Sequence, residues 1–203
     1  MRNNNLLKLL FITMLILSAG VARAQEKLSE ADKAKKAAES YALAVPGPEH
    51  QRLQGIVGKW DQEITVWSQP GANPVTLKGS CENKMILGGR FLVSDAKGSM
   101  GGMSVESTHI MGFDRRNKKY TTIGFDTFGT YYVTAAGPYD DAKQAVVMYG
   151  EDVDPQLGTQ KYDIIFRILG PDKYTIEIVF KDKVHTQGAA EFKAVAITYT
   201  RRI

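Results

Sequence analysis

The chain has 203 residues, with 26 Lys and Arg against 22 Asp and Glu, 43% hydrophobic residues and a single cysteine. That length fits one domain with a sizeable core, and a lone Cys81 excludes an intramolecular disulfide. Arg2, Lys8 and Arg23 supply three of the four surplus positive charges, so the rest of the chain is near neutral and offers no concentrated cationic face for nucleic acid or an anionic membrane.

Residues 1–24 read as a secretory signal peptide: basic start, apolar run Leu9 to Leu17, and Ala22-Arg23-Ala24 at the cut. The protein is therefore expected to be periplasmic or secreted, beginning near Gln25. The apolar run is too short for a comfortable span and no second one follows, so no integral membrane span is expected. Residues 25–45 form a helical segment with Leu28, Ala31, Ala34, Ala38, Tyr41 and Val45 on one face and a capping-box-like start at Ser29 and Asp32. That face is mostly alanine and buries little, which predicts a spacer rather than core. Pro46-Gly47-Pro48 ends it, and Pro48 opens a second short helix with Leu53, Ile56 and Val57 on one side.

From Trp60 onward the period changes to two. Strands are expected at about 60–68, 76–87, 90–95, 105–113, 119–126, 130–137, 144–150, 161–169, 173–181 and 190–201, separated by turns such as Gln69-Pro70-Gly71 and Gly170-Pro171-Asp172. No gap holds a crossover helix, so neighbours pair antiparallel. Tyr162, Ile164, Phe166 and Ile168 share a face opposite Asp163 and Arg167, and Tyr174, Ile176, Ile178 and Phe180 repeat the pattern. The fold class is all-β: an antiparallel up-and-down barrel of about ten strands over residues 46–203, with a two-sheet sandwich as the alternative. Ten strands enclose more space than eight, which leaves room for an interior cavity.

Gly58-Lys59-Trp60 at the entry to the first strand, with Arg201 and Arg202 closing the last, resembles the signature of the lipocalin and calycin barrels. The resemblance implies that Trp60 packs under Arg201 or Arg202. A wider set of motifs resembles a bacterial family of unknown function, DUF1579. These are Pro46-Gly47-Pro48-Glu49-His50, Met85 to Phe91 (MILGGRF), Met111-Gly112-Phe113-Asp114, Asp126-Thr127-Phe128-Gly129-Thr130 and the closing Thr198-Tyr199-Thr200-Arg201-Arg202. Phe113-Asp114-Arg115 stands where that family would have a tyrosine and an Asp-Asn turn, and Phe125 where tryptophan is common. The family brings no established activity.

No nucleophile elbow, phosphate loop or metal-ligand spacing is present. His50, His109 and His185 are too scattered for a metal site, and each reads as structural or solvated. His185, in a loop at the barrel mouth, is the residue that could ligate haem. Glu151, Asp152 and Asp154 read as a solvated hairpin loop, since a calcium loop would need a glycine and a distal glutamate that are missing. Gly98 to Met103 reads as a lid beside the mouth or as a plain mobile hairpin.

The leading functional expectation is a barrel that binds a small hydrophobic or amphipathic molecule, with Phe125, Tyr131, Tyr132, Tyr162 and Phe166 as wall residues and Met100 and Met103 beside the mouth. Two alternatives stand. An envelope enzyme would recruit Asp126, His109 or Glu63, two of them turned inward; a filled-barrel interaction module would carry an exposed aromatic cluster and no cavity.

Overall fold

The computed structural model describes residues 29–203, so the expected signal peptide at 1–24 lies outside the described residues. The described residues fall into two units, divided between Ala42 and Leu43. Helix α1 spans Glu30–Ala44. Its cap is the expected exchange: the Asp32 N–H donates to the Ser29 hydroxyl at 3.1 Å while that hydroxyl donates to the Asp32 carboxylate at 2.6 Å. No residue of α1 is buried.

The second unit is a closed antiparallel barrel. After α2 (Pro48–Gln54) come β1 (Gly58–Val66), β2 (Val75–Ile86), β3 (Phe91–Met100), β4 (Met103–Asp114), β5 (Lys119–Asp126) and β6 (Val133–Gly137). Then follow β7 (Tyr139–Asp140), β8 (Ala145–Asp154), β9 (Gly158–Gly170), β10 (Lys173–Phe180), the short helix α3 (Lys183–Thr186) and β11 (Phe192–Arg201). The sheet order is β6-β5-β4-β3-β2-β1-β11-β10-β9-β8, and β6 pairs back onto β8 to close a ring of ten strands. The two-residue β7 stands outside that ring, hydrogen-bonded to β8.

Closure is thinnest at β6 and β8. Only Ala135↔Gly150 and Ala136↔Tyr149 pair there, supplemented by the Val147 N–H donating to Pro138 O at 3.1 Å. Gly137 is required at this seam, because a Cβ on it would lie 1.8 Å from Val147 O.

Strand ends differ from expectation in four places. Gly98 to Met103 is no lid: β3 and β4 run through Met100 and Met103, joined by Gly101-Gly102 at φ +59° and +84°, the left-handed pair that a two-residue hairpin turn demands. Residues 151–154 are strand rather than loop, and Asp154 closes the turn beyond by accepting the N–H groups of Gln156 and Leu157 at 2.7 and 2.8 Å. The expected strand at 130–137 begins only at Val133, so Tyr131 and Tyr132 precede it. His185 sits in α3, capped by Asp182, rather than in a loop.

Alternation from the register Trp60↔Cys81 and Trp60↔Arg201 divides every strand into an inner and an outer face. The helix α2 plugs one end: Leu53 is fully buried, and Ile56 beside it nearly so, against Trp60, Tyr120, Phe166 and Tyr174 in one cluster. Within that cluster Tyr174 stacks on Tyr199 at 4.0 Å between centroids and meets the Trp60 ring edge-on at 4.7 Å.

Candidate functional site

The two ends of the barrel differ in kind. At the closed end the inner face is filled, and among the described residues every buried side-chain polar atom but the Tyr120 hydroxyl is partnered. The Trp60 indole donates to Ile56 O at 2.9 Å; the Asn83 amide donates to the same carbonyl at 2.9 Å and to Tyr174 Oη at 3.0 Å. The Ser94 hydroxyl donates to Asn83 Oδ1 at 2.7 Å and the Cys81 thiol to the same oxygen at 2.9 Å. Burial pushes the Cys81 thiol and the Tyr174 and Tyr199 phenols up. Cys81 is thus a packed group, not a nucleophile.

Arg201 seals this end. Its guanidinium lies 4.3 Å above the Trp60 ring and donates to Val57 O (2.8 Å), Gly55 O (3.0 Å) and Pro171 O (2.7 and 2.9 Å), with Asp172 Oδ1 at 3.1 Å. Of the two arginines expected against Trp60, Arg201 takes the place. Arg202 turns outward and pairs with Asp61.

At the other end the barrel mouth is a hollow open to solvent, where inward Ile64, Leu77, Val105 and Ser107 are only half-buried. Gly79, Gly98, Gly124 and Gly150 occupy inward positions there and bring no side chain of their own. Neighbouring side chains fold over them: a Cβ on Gly124 would lie 2.6 Å from His109 Nδ1, and one on Gly150 would lie 2.1 Å from the Tyr162 ring. His109 points inward by register and yet is exposed, the combination expected of a side chain projecting into an open interior. Burial lowers its pKa, opposed by the nearby Asp126 carboxylate. Its neutral form therefore prevails at pH 7.

Around this hollow β1 and β2 contribute Ile64 and Leu77, β10 and β11 contribute Ile178 and Ile197, and β4 contributes Val105 and Ser107. Tyr162 faces in and donates its hydroxyl to Thr134 O at 3.2 Å. Met100 and Met103 face each other at the rim. His185 is engaged already: its ring stacks on Phe180 at 3.9 Å, with Nδ1 2.9 Å from Asp182 Oδ1.

Three of the expected wall residues fall elsewhere. Phe125, next to inward Gly124, takes the outer face and is 42% exposed. Tyr131 and Tyr132 precede β6 and are 61% and 58% exposed. They were expected inside because aromatic content alone does not tell the two faces of a strand apart. Phe166 does point inward, but into the packed closed end, at 1% exposure. The inward glycines and Gln62, Ser107 and Val105 were missed; the alternation of Gly98 with Met100 and of Gly124 with Asp126 was the available signal. Glu63 points outward, whereas His109 and Asp126 both point inward.

Two shallow pockets of about 310 and 150 Å³ lie at the closed end, away from the hollow. The larger is rimmed by Arg90, Arg115, Arg116 and His50, whose polar groups are already engaged: Arg90 donates to Ala44 O and Leu87 O, Arg115 to Val45 O, and Arg116 pairs with Asp114.

A family model described as a protein of unknown function (DUF1579) matches residues 45–201. The chain belongs to DUF1579. The match takes in the barrel from the residue before Pro46 to Arg201, so the Trp60–Arg201 seal is part of the family's domain. Among solved structures, Rv2717c from M. tuberculosis is 12% identical, with a TM-score of 0.54 over 78% of this chain and 100% of that one. The S-type phycobiliprotein lyase CPES from Guillardia theta is 8% identical, with a TM-score of 0.53 over 76% of this chain and 93% of that one. At such identities the likeness shows a common fold alone, an antiparallel β-barrel. No curated protein sequence matches.

Proposed function

We propose that this DUF1579 protein binds a small hydrophobic or amphipathic molecule in the open half of its barrel, and that the leader at residues 1–24 exports it to the periplasm or beyond. The observation that carries the reading is the contrast between the two ends: one packed to fully buried aromatics, the other lined by inward side chains that stay half-buried or exposed. Apolar walls with a few polar groups are the usual make-up of a small-molecule site.

The test is a fluorescence titration with N-phenyl-1-naphthylamine, an uncharged dye that brightens in apolar surroundings. Saturable brightening is expected, abolished by Val105→Trp, which projects an indole into the space that Gly98 leaves open across the pair. Brightening equal in Val105→Trp and wild type contradicts the reading. A second reading, an enzyme, is favoured by one observation, the inward placement of both His109 and Asp126. Hydrolysis of a p-nitrophenyl acyl ester lost in His109→Gln would support it; no turnover above the His109→Gln level removes it.

A further inference from the structure

The hollow has a sign. Among inward-facing strand positions of the described residues the sole cation is Arg201, which is committed at the closed end. The mouth of the open half carries Asp126 from β5, exposed, and Asp152 from β8, half-buried, both turned inward by the register, while Asp154 beyond them is taken up by the turn N–H groups of Gln156 and Leu157. Each carboxylate accepts one main-chain N–H, from Phe128 and from Val153, at 2.8 Å. Neither is ion-paired among the described residues, and the lysines of the same strands and their neighbours, Lys78, Lys97 and Lys161, occupy outward positions.

A second, independent feature points to a ligand. The His109 imidazole lies against the Gly124 backbone, faces the open space, and makes no hydrogen bond among the described residues. Across the hollow the wall is apolar, with Ile64, Ile164, Ile178 and Ile197. The interior is therefore amphipathic: acceptors and negative charge along β4, β5 and β8, hydrocarbon along β9, β10, β11 and β1.

A carboxylate head brought to this mouth would meet two like charges with no counter-ion beside them, and like charges this close disfavour one another wherever water is partly excluded. A head that donates hydrogen bonds meets the imidazole and two carboxylates with unused lone pairs. We propose that the hollow takes an amphiphile whose head is a hydrogen-bond donor, cationic or uncharged, and rejects one whose head is a carboxylate. The inference rests on the ligand-binding reading above and adds the chemical class.

Isothermal titration of the purified protein at pH 7 with three probes of equal chain length, octylamine, octan-1-ol and octanoate, tests it. Octylamine should bind tightest, and octanoate at least tenfold more weakly than octan-1-ol. Asp126→Asn with Asp152→Asn, which keeps both main-chain acceptors, should bring octanoate within threefold of the alcohol. Octanoate binding as well as octylamine to wild type overturns the charge selection and leaves the binding reading in place. No binding of any of the three, or octylamine binding unchanged in Val105→Trp, overturns the binding reading itself.

Discussion

Replacing Arg201 tests how the closed end is held. In Arg201→Ala the protein loses a guanidinium 4.3 Å above Trp60 and donors to Val57 O, Gly55 O and Pro171 O, which tie the α2–β1 connection to the β9–β10 turn. A cation over an indole contributes about 0.5–2 kcal/mol, and hydrogen bonds from a charged group about 1.5–3 kcal/mol each. The side chain is about a quarter exposed, at 26%, so water takes over part of the role at Gly55 O and Pro171 O. The expected loss is about 3–4 kcal/mol, below the sum's low end of about 5 because water replaces part of the bonding at the two exposed carbonyls. Arg201→Lys should recover less than half, because one ammonium cannot reach three carbonyls and an indole face at once. Urea unfolding followed by Trp fluorescence measures both: with a slope of about 1–3 kcal/mol per M, the Ala midpoint should fall by more than 1 M at unchanged slope. A loss below 1 kcal/mol in Arg201→Ala, or a lysine variant equal to wild type, would refute the sealing role.

Three further outcomes follow from other parts of the barrel. Gly137→Ala should destabilise by about 2 kcal/mol or more, since its Cβ would collide with Val147 O in a backbone that closes the seam; thermal unfolding reads it, and a change under 0.5 kcal/mol would contradict the register. Cys81 should resist a thiol reagent in the native state at pH 8 and react only on denaturation, because burial raises its pKa; fast native labelling would show the closed end to be open. Glu177 is desolvated, which favours its neutral form, but Lys193 at 2.9 Å and Arg167 at 2.7 Å prevail and lower its pKa. With the folded value below the ordinary 4.5, its stabilisation of about 1 kcal/mol is present above pH 4.5 and lost as pH falls through the folded pKa. The stability gap between wild type and Glu177→Gln should therefore close below pH 4.5; a gap that persists there would rule out the ionic origin.

The barrel was legible because its signals are local and repeat. Period-two alternation gave each of the ten ring strands, and Trp60 with Arg201 marked where the first and last meet, 141 positions apart in the chain and adjacent in register. Strand ends were less legible: Gly98 to Met103 reads equally as a lid or a mobile hairpin by composition, and paired glycines at positive φ make it a tight hairpin with paired flanks. The site was only partly readable. Tyr162 was placed inside by alternation with Asp163, but Phe125, Tyr131 and Tyr132 were chosen for aromatic character, and only pairing with a neighbour fixes which face a residue takes. Which half of the tube is packed depends on α2 and the turn after it inserting Leu53 and Ile56, a contact between segments that no strand pattern encodes.

The central claim is that the open half of the barrel is a ligand-binding hollow. Methyl NMR of isoleucine-labelled protein during titration with octan-1-ol tests it residue by residue. Shift changes should fall on inward-facing Ile64, Ile164, Ile178 and Ile197 and spare outward-facing Ile110, Ile123 and Ile165. Changes confined to the outward set, or none at saturating alcohol, would contradict it.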